Sequence, residues 1–220
     1  LDAYYKYQLE NEDKSLKKGT GYRLVENILK INSFFSSDER QVEVIILSKN
    51  NAATSLRITN AINDLKLDII RSAWTSGTNI SNYLKAFKVD LFLSADDNDV
   101  LNAIENGVAA AKILHSNENI HNISNEQVRI AFDGDAVLFS EESELVYKNH
   151  GLEAFIEHEK LNKDNPLEMG PFAKLLLTIA KIQAKFPTDK SPIRTAFVTA
   201  RSAPTHERVI KTFNVWGVRV

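Results

Sequence analysis

Apolar residues along this chain follow two different spacings, and each spacing predicts a different element. Leu24, Ile28 and Ile31 recur at helical intervals, as do Leu175, Ile179 and Ile182, so each set lays one apolar stripe along a helix. A short apolar run comes after each stripe. VEVIIL at 42–47 and TAFV at 195–198 are rich in β-branched and aromatic residues, as expected of parallel strands covered on both faces. DLFLSA at 90–95 and VRIAF at 128–132 predict two more strands, and DVLNAIENGVAAAKIL at 99–114 predicts a helix after the first of these. Polar loops separate strand from helix: Asn51 is placed to cap the helix after VEVIIL, and Pro204 suits the first turn of the helix after TAFV. Strands alternating with helices predict an α/β fold with mainly parallel sheets, whose sites lie at the carboxyl ends of the strands.

The same pattern occurs twice, without a gap, at a constant offset that carries Leu1 onto Leu152. Leu1, Ala3, Asn11, Asp13, Leu16, Gly19, Leu24, Ile28, Ile31 and Phe35 recur as Leu152, Ala154, Asn162, Asp164, Leu167, Gly170, Leu175, Ile179, Ile182 and Phe186. The offset then takes Ser48 to Thr199, Ala52 to Ala203, Thr54 to Thr205 and Arg57 to Arg208. A register held through helix, loop and strand divides the chain into repeats at about 1–122 and 123–220. The aromatic pairs Tyr4/Phe155 and Phe35/Phe186 fall at equivalent positions, so core packing explains them better than stacking on a base.

Composition narrows the classes. Hydrophobic residues make up 43% and charged residues 25%, and the net charge is −2, which disfavours a large nucleic acid as ligand and a disordered acidic tail. The chain has no cysteine, which removes disulfides, thiolate zinc sites and cysteine nucleophiles and fits a reducing cytoplasm. No apolar run is long enough to cross a bilayer, and the first residues do not resemble a signal peptide, so no membrane partner is expected. Self-association into a homo-oligomer is left open. The histidines His115, His121, His150, His158 and His206 lack the mutual spacing of a zinc helix and read as structural or solvated.

The candidate chemistry lies just past the strand VRIAF, which runs directly into Asp133-Gly134-Asp135 and then AVLFS. Two carboxylates one residue apart at the end of a buried strand are costly unless a positive charge lies between them. Hard oxygen ligands without a histidine cluster point to magnesium, Mg2+, with Asp133 and Asp135 as ligands. Gly134 between them leaves room for a ligand to approach the backbone. Taken alone, Asp-Gly-Asp is also an ordinary turn.

FDGDAVLFS resembles the first motif of the haloacid dehalogenase phosphatases, and in detail it is similar to that segment of the cytosolic type I 5′-nucleotidases. The resemblance covers nearly the whole chain. It implies tandem haloacid dehalogenase-like Rossmannoid units, and hydrolysis of a nucleoside 5′-monophosphate such as AMP through an aspartyl-phosphate. Asp133 would be the nucleophile, and Asp135 the acid that protonates the leaving oxygen and then activates water. The second motif is VTARSA, where Thr199 would bind phosphoryl oxygens and the backbone N–H groups of Ala200 and Arg201 would face the phosphate. The Arg201 side chain could supply a cation for phosphate or ribose, or be a solvated loop arginine. Residues 143–190 would form a helical cap, within which PLEMGPF at 166–172 reads as a helix start or as a surface for the base.

Two parts of the family pattern are not found after Thr199: the lysine that neutralises the phosphoryl group, and the further acids that complete the metal site. The repeat offset puts their places past Val220, and the first copy's equivalent of Asp133 before Leu1, so the sequence reads as trimmed at both ends. The first copy offers Lys85 and Asp96 at those places. They read as surface residues of a degenerate repeat, or as members of a composite site with Asp133. Competing functions are a phosphatase of another small phosphomonoester and a non-catalytic nucleotide- or protein-binding module.

Overall fold

Six short strands and eight helices alternate among the residues described by the computed structural model, 2–115 and 126–220. The boundary expected at 122/123 and His121 lie outside the described residues. The chain divides into two units, residues 1–106 with 110–126 and residues 107–109 with 127–220. The fold is mixed α/β, with the strands in three parallel pairs.

In the first unit, helices α1 (Asp2–Glu10) and α2 (Tyr22–Lys30) precede strand β1 (Ile45–Ser48), which begins three residues later than the apolar run predicts. Helix α3 (Leu56–Asp64) comes after a 3-10 turn in which Asn51 Oδ1 accepts the Thr54 N–H at 2.8 Å, the capping role read from the sequence. The partner of β1 is β2 (Arg71–Trp74), in register from Ile45 opposite Arg71 to Ser48 opposite Trp74. No apolar pattern predicted β2, because RSAW carries a charge and a serine at its exposed half. Helix α4 (Ser81–Ala86) leads to β3 (Phe92–Ser94) and helix α5 (Asp97–Glu105).

The helix predicted through Leu114 stops instead at Glu105, the last residue of α5. Gly107 adopts φ +75, the left-handed conformation that ends helices. Ala110–Lys112 then forms strand β4, parallel to β3. The small apolar run VAAA fits either element, and the glycine decides between them.

In the second unit, strand β5 (Val128–Asp133) pairs in parallel with β6 (Ile193–Val198), with Asp133 opposite Val198. Helix α6 (Glu142–Leu161) bends at Gly151, φ +83, and its later half matches α1 at the repeat offset. Helix α7 (Ala173–Gln183) corresponds to α2, and α8 (His206–Trp216) to α3. Leu175, Ile179 and Ile182 on α7 are buried as the stripe predicts, whereas in the first copy Ile31 is buried and Leu24 and Ile28 are half-buried. Pro204 lies in the turn before α8 and not in its first helical turn. Gly217 closes α8 in a left-handed cap, with Val218 N bonded to Phe213 O.

The core of this unit is aromatic. Phe139, fully buried, meets the rings of Phe197, Phe213 and Trp216 at 5.9, 5.6 and 5.6 Å, and Phe197 meets Phe213 edge-on at 5.1 Å. Burying a phenylalanine of this kind stabilises the fold by about 1.5–3 kcal/mol. Strands covered on both faces are not what is found: Val128 and Phe132 are buried, while Arg129, Ala131 and Asp133 on the other face of β5 are exposed. A two-stranded sheet keeps the period-two alternation of a one-sided strand. Core packing also fails as an account of Tyr4, which is 47% exposed, although its counterpart Phe155 is half-buried.

Candidate active site

Strand pairing brings the two motifs together. Asp133 is the last residue of β5, Val198 opposite it is the last of β6, and Thr199 comes next, so the acid and the hydroxyl sit at neighbouring carboxyl ends of parallel strands. Asp133 is exposed, and its Oδ1 accepts the Gly134 N–H at 2.7 Å. Thr199 Oγ1 accepts the Arg201 N–H at 3.0 Å, which closes the turn containing exposed Ala200 and leaves the threonine proton to donate elsewhere. Gly134 is buried, and a β-carbon there would meet the Phe197 ring at 3.0 Å and Thr199 Oγ1 at 3.6 Å. Close packing of the Phe197 ring therefore favours glycine at this position.

Between Gly134 and Leu138 the backbone makes one wide turn in which Ala136 takes φ +59, a strained conformation for a residue with a side chain. PLEMGPF holds that turn from outside. Met169 bridges Phe139, Gly170 N donates to Leu138 O at 2.8 Å, and Phe172 N donates to Val137 O at 3.0 Å. The segment thus has a structural task just before α7 begins.

Asp135 is half-buried, and both of its oxygens are taken by one guanidinium: Arg201 Nε donates to Oδ2 at 3.0 Å and its NH2 group to Oδ1 at 2.5 Å. Such fork-on-carboxylate pairing is among the stronger polar contacts proteins make. The Arg201 side chain is 2% exposed, which removes the solvated-loop reading. Its remaining nitrogen, NH1, meets Glu159 Oε2 at 2.5 Å, and its guanidinium carbon lies 5.3 Å from the Phe155 ring centre.

Glu159, on α6, has no exposed side-chain surface. Its Oε1 accepts from Ser143 Oγ at 2.7 Å and from Arg208 NH1 at 3.0 Å. Burial alone would raise the Glu159 pKa, but the serine hydroxyl and the two arginines outweigh it, so the carboxyl is held below the usual glutamate value. Burial likewise works against the Arg201 cation, and the bond to Asp135 with the charges of both carboxylates outweighs it, so its pKa is raised. Glu159, Ser143 and Arg208 do not stand out as site residues in the sequence. The available signal is the first copy, which has neutral Gln8 and Asn50 where the second has Glu159 and Arg201.

In the first unit Lys85 is exposed in the last turn of α4, and Asp96 caps α5 by accepting the Asp99 N–H at 3.0 Å. Buried Asp99 pairs with Lys49 at 2.6 Å. These contacts give Asp96 and Asp99 structural work. Among the described histidines, His158 lies against Glu142 and Glu159, and His206 Nε2 meets the Arg201 carbonyl. No group of three or more His, Cys, Asp or Glu residues suited to a metal occurs among the described residues. Asp133 fits magnesium in part, since that ion is commonly held by one or two carboxylates with waters and substrate phosphate. The Asp135 carboxylate is engaged by Arg201. No described helix is long and apolar enough to cross a membrane.

Comparison with known proteins places the chain in a family. The family model for 5′-nucleotidases matches residues 1–220, and the chain belongs to that family. Human cytosolic 5′-nucleotidase 1B is 35% identical to it over 229 residues, covering all of this chain and 37% of that protein. The chain thus spans little more than a third of the length of this relative. No solved structure gives a significant match.

Proposed function

We propose that the protein hydrolyses nucleoside 5′-monophosphates, AMP among them, through an aspartyl-phosphate on Asp133. The observation that carries this reading is the placing of Asp133 and Thr199 at adjacent ends of paired parallel strands, in a chain of the 5′-nucleotidase family. An exposed carboxylate beside a free hydroxyl proton suits in-line attack on phosphorus.

In the first step an Asp133 carboxylate oxygen forms a bond to phosphorus as the bond to the ribose 5′ oxygen breaks. Asp135 gives its proton to that leaving oxygen, and the nucleoside departs. In the second step water attacks the phosphorus of the acyl phosphate, Asp135 takes a proton from the water, and Asp133 is released with inorganic phosphate. Thr199 donates its hydroxyl proton to a phosphoryl oxygen, and the N–H of Ala200 faces the same group. Arg201 engages Asp135 and leaves the direct binding of phosphate to these donors. Asp133 and Asp135 would hold magnesium, which when bound would supply positive charge against the phosphoryl oxygens. The tandem haloacid dehalogenase-like organisation, the division near 122/123, a cap over 143–190 and a cytoplasmic setting belong to the same proposal.

Phosphate release by the full-length protein from AMP, IMP, deoxynucleotides and sugar phosphates, with magnesium and with a chelator, tests it. Preference for 5′-nucleotides that vanishes with the chelator is expected. Faster release from sugar phosphates, or activity indifferent to the chelator, would overturn the substrate or the metal assignment.

A further inference from the structure

Helix α6 is broken at Gly151, whose φ +83 and ψ −176 form a backbone conformation that only glycine adopts with ease. In a straight helix the eight residues from Tyr147 to Phe155 would rise about 12 Å. Across the break their ring centres are 6.2 Å apart, with the ring planes at 81°. The bend thus brings together two aromatic rings that an unbroken helix would hold apart.

Phe155 is the inner ring of the two. It is half-buried, and its centre lies 5.3 Å from the guanidinium carbon of Arg201, whose Nε donates to Asp135 at 3.0 Å. Tyr147 is the outer ring and is 50% exposed. Perpendicular packing does not stack the rings face to face, so aromatic surface on Tyr147 is left for a further group. Every residue from Tyr147 to Glu153 is exposed. A break that leaves a tyrosine half in water does little for stability, and glycine-only backbone of this kind clusters at ligand clamps.

We propose that Tyr147, backed by Phe155, is the surface on which the nucleobase of the substrate stacks. In-line attack by Asp133 sends the leaving ribose away from that carboxylate, and the reaction proposed above sets its 5′ oxygen beside Asp135. From Asp135 the Arg201 guanidinium and the Phe155 ring lead to Tyr147 in steps of 5.3 and 6.2 Å, a reach that a ribose and its base can span. Stacking on an aromatic side chain accepts any base, because each base has a flat π face. Tyr147 therefore selects for a base over none, and not among bases. The inference rests on the proposed hydrolysis of nucleotides.

The test compares full-length wild type, Tyr147→Ala and Tyr147→Phe on AMP, IMP and ribose 5-phosphate, which keeps the phosphate and sugar and lacks the base. Losing one stacking ring typically weakens binding by about fivefold to a hundredfold. Tyr147→Ala is expected to raise KM about tenfold for AMP and IMP alike with kcat little changed, and to leave kcat/KM on ribose 5-phosphate as in wild type. Tyr147→Phe keeps the ring and should behave as wild type. Equal losses on nucleotides and ribose 5-phosphate, no loss on nucleotides, or a phenylalanine variant as impaired as the alanine one would overturn the inference while the nucleotide reading stands. Wild type that does not prefer AMP to ribose 5-phosphate would remove that reading and the inference with it. Should ribose 5-phosphate turn over too slowly, inhibition of AMP hydrolysis decides: Tyr147→Ala should weaken inhibition by adenosine about tenfold and leave that by inorganic phosphate unchanged, and equal shifts or none would overturn the inference.

Discussion

One buried carboxylate, Glu159, holds two arginines that are themselves 2% and 4% exposed at their side chains. Removing it leaves two cations without that partner, a change that typically costs about 3–5 kcal/mol. Glu159→Ala is therefore expected to lower the thermal midpoint strongly and Glu159→Gln less, because the amide oxygen still accepts. The pH dependence has a definite sign. Glu159 titrates below its ordinary value, so its contribution is complete above about pH 4.3 and is lost as pH falls below that toward the folded value. Between about pH 6 and about pH 3, wild type should lose more thermal stability than Glu159→Gln; equal losses would contradict a buried, ionised Glu159. Asp133 and Thr199 were legible as candidates because they lie at or just past the ends of recognisable strands, and Asp135 because it lies two residues past Asp133 in FDGDAVLFS. The partnership of Glu159 with Arg201 was not, since 42 residues separate them and either charge alone reads as a surface residue.

The turn after β5 is shaped by PLEMGPF as much as by its own residues. A β-carbon on Gly170 would lie 2.3 Å from Phe139 O and 2.6 Å from Val137 O, both backbone atoms that cannot swing aside. Gly19 occupies the same repeat position and has nothing within 4 Å of such a carbon. Gly170→Ala should cost about 1–3 kcal/mol or more and disturb the Asp135 turn, whereas Gly19→Ala should change stability by less than about 0.5 kcal/mol. Thermal unfolding of the two variants checks this, and similar effects at both positions would contradict the packing described. The repeat in the sequence revealed the equivalence of these glycines but not their different surroundings, because Phe139 comes from a segment whose first-copy equivalent would precede Leu1. Helices α2 and α7 were readable from spacing, and α3 and α8 from the polar loops that open them. Strands β2 and β4 were not: RSAW is polar, and AAK continues an apolar helical pattern that only Gly107 interrupts.

Across the whole molecule, paired parallel strands do in each unit what the alternating pattern asked of them, and one of these pairs carries the acid and the hydroxyl to the same edge. The first unit reproduces scaffold bonds of the second without its charged pair. The chain belongs to the 5′-nucleotidase family, and the reaction proposed for that edge requires one covalent intermediate. Full-length protein turning over AMP with magnesium can be quenched in acid and its peptides examined by mass spectrometry for a phosphoryl group. Wild type should carry phosphate on Asp133, and Asp133→Asn should carry none and lose several orders of magnitude in turnover. Phosphate on a different residue, or an Asp133→Asn variant that keeps more than about a tenth of the activity, would contradict the assignment.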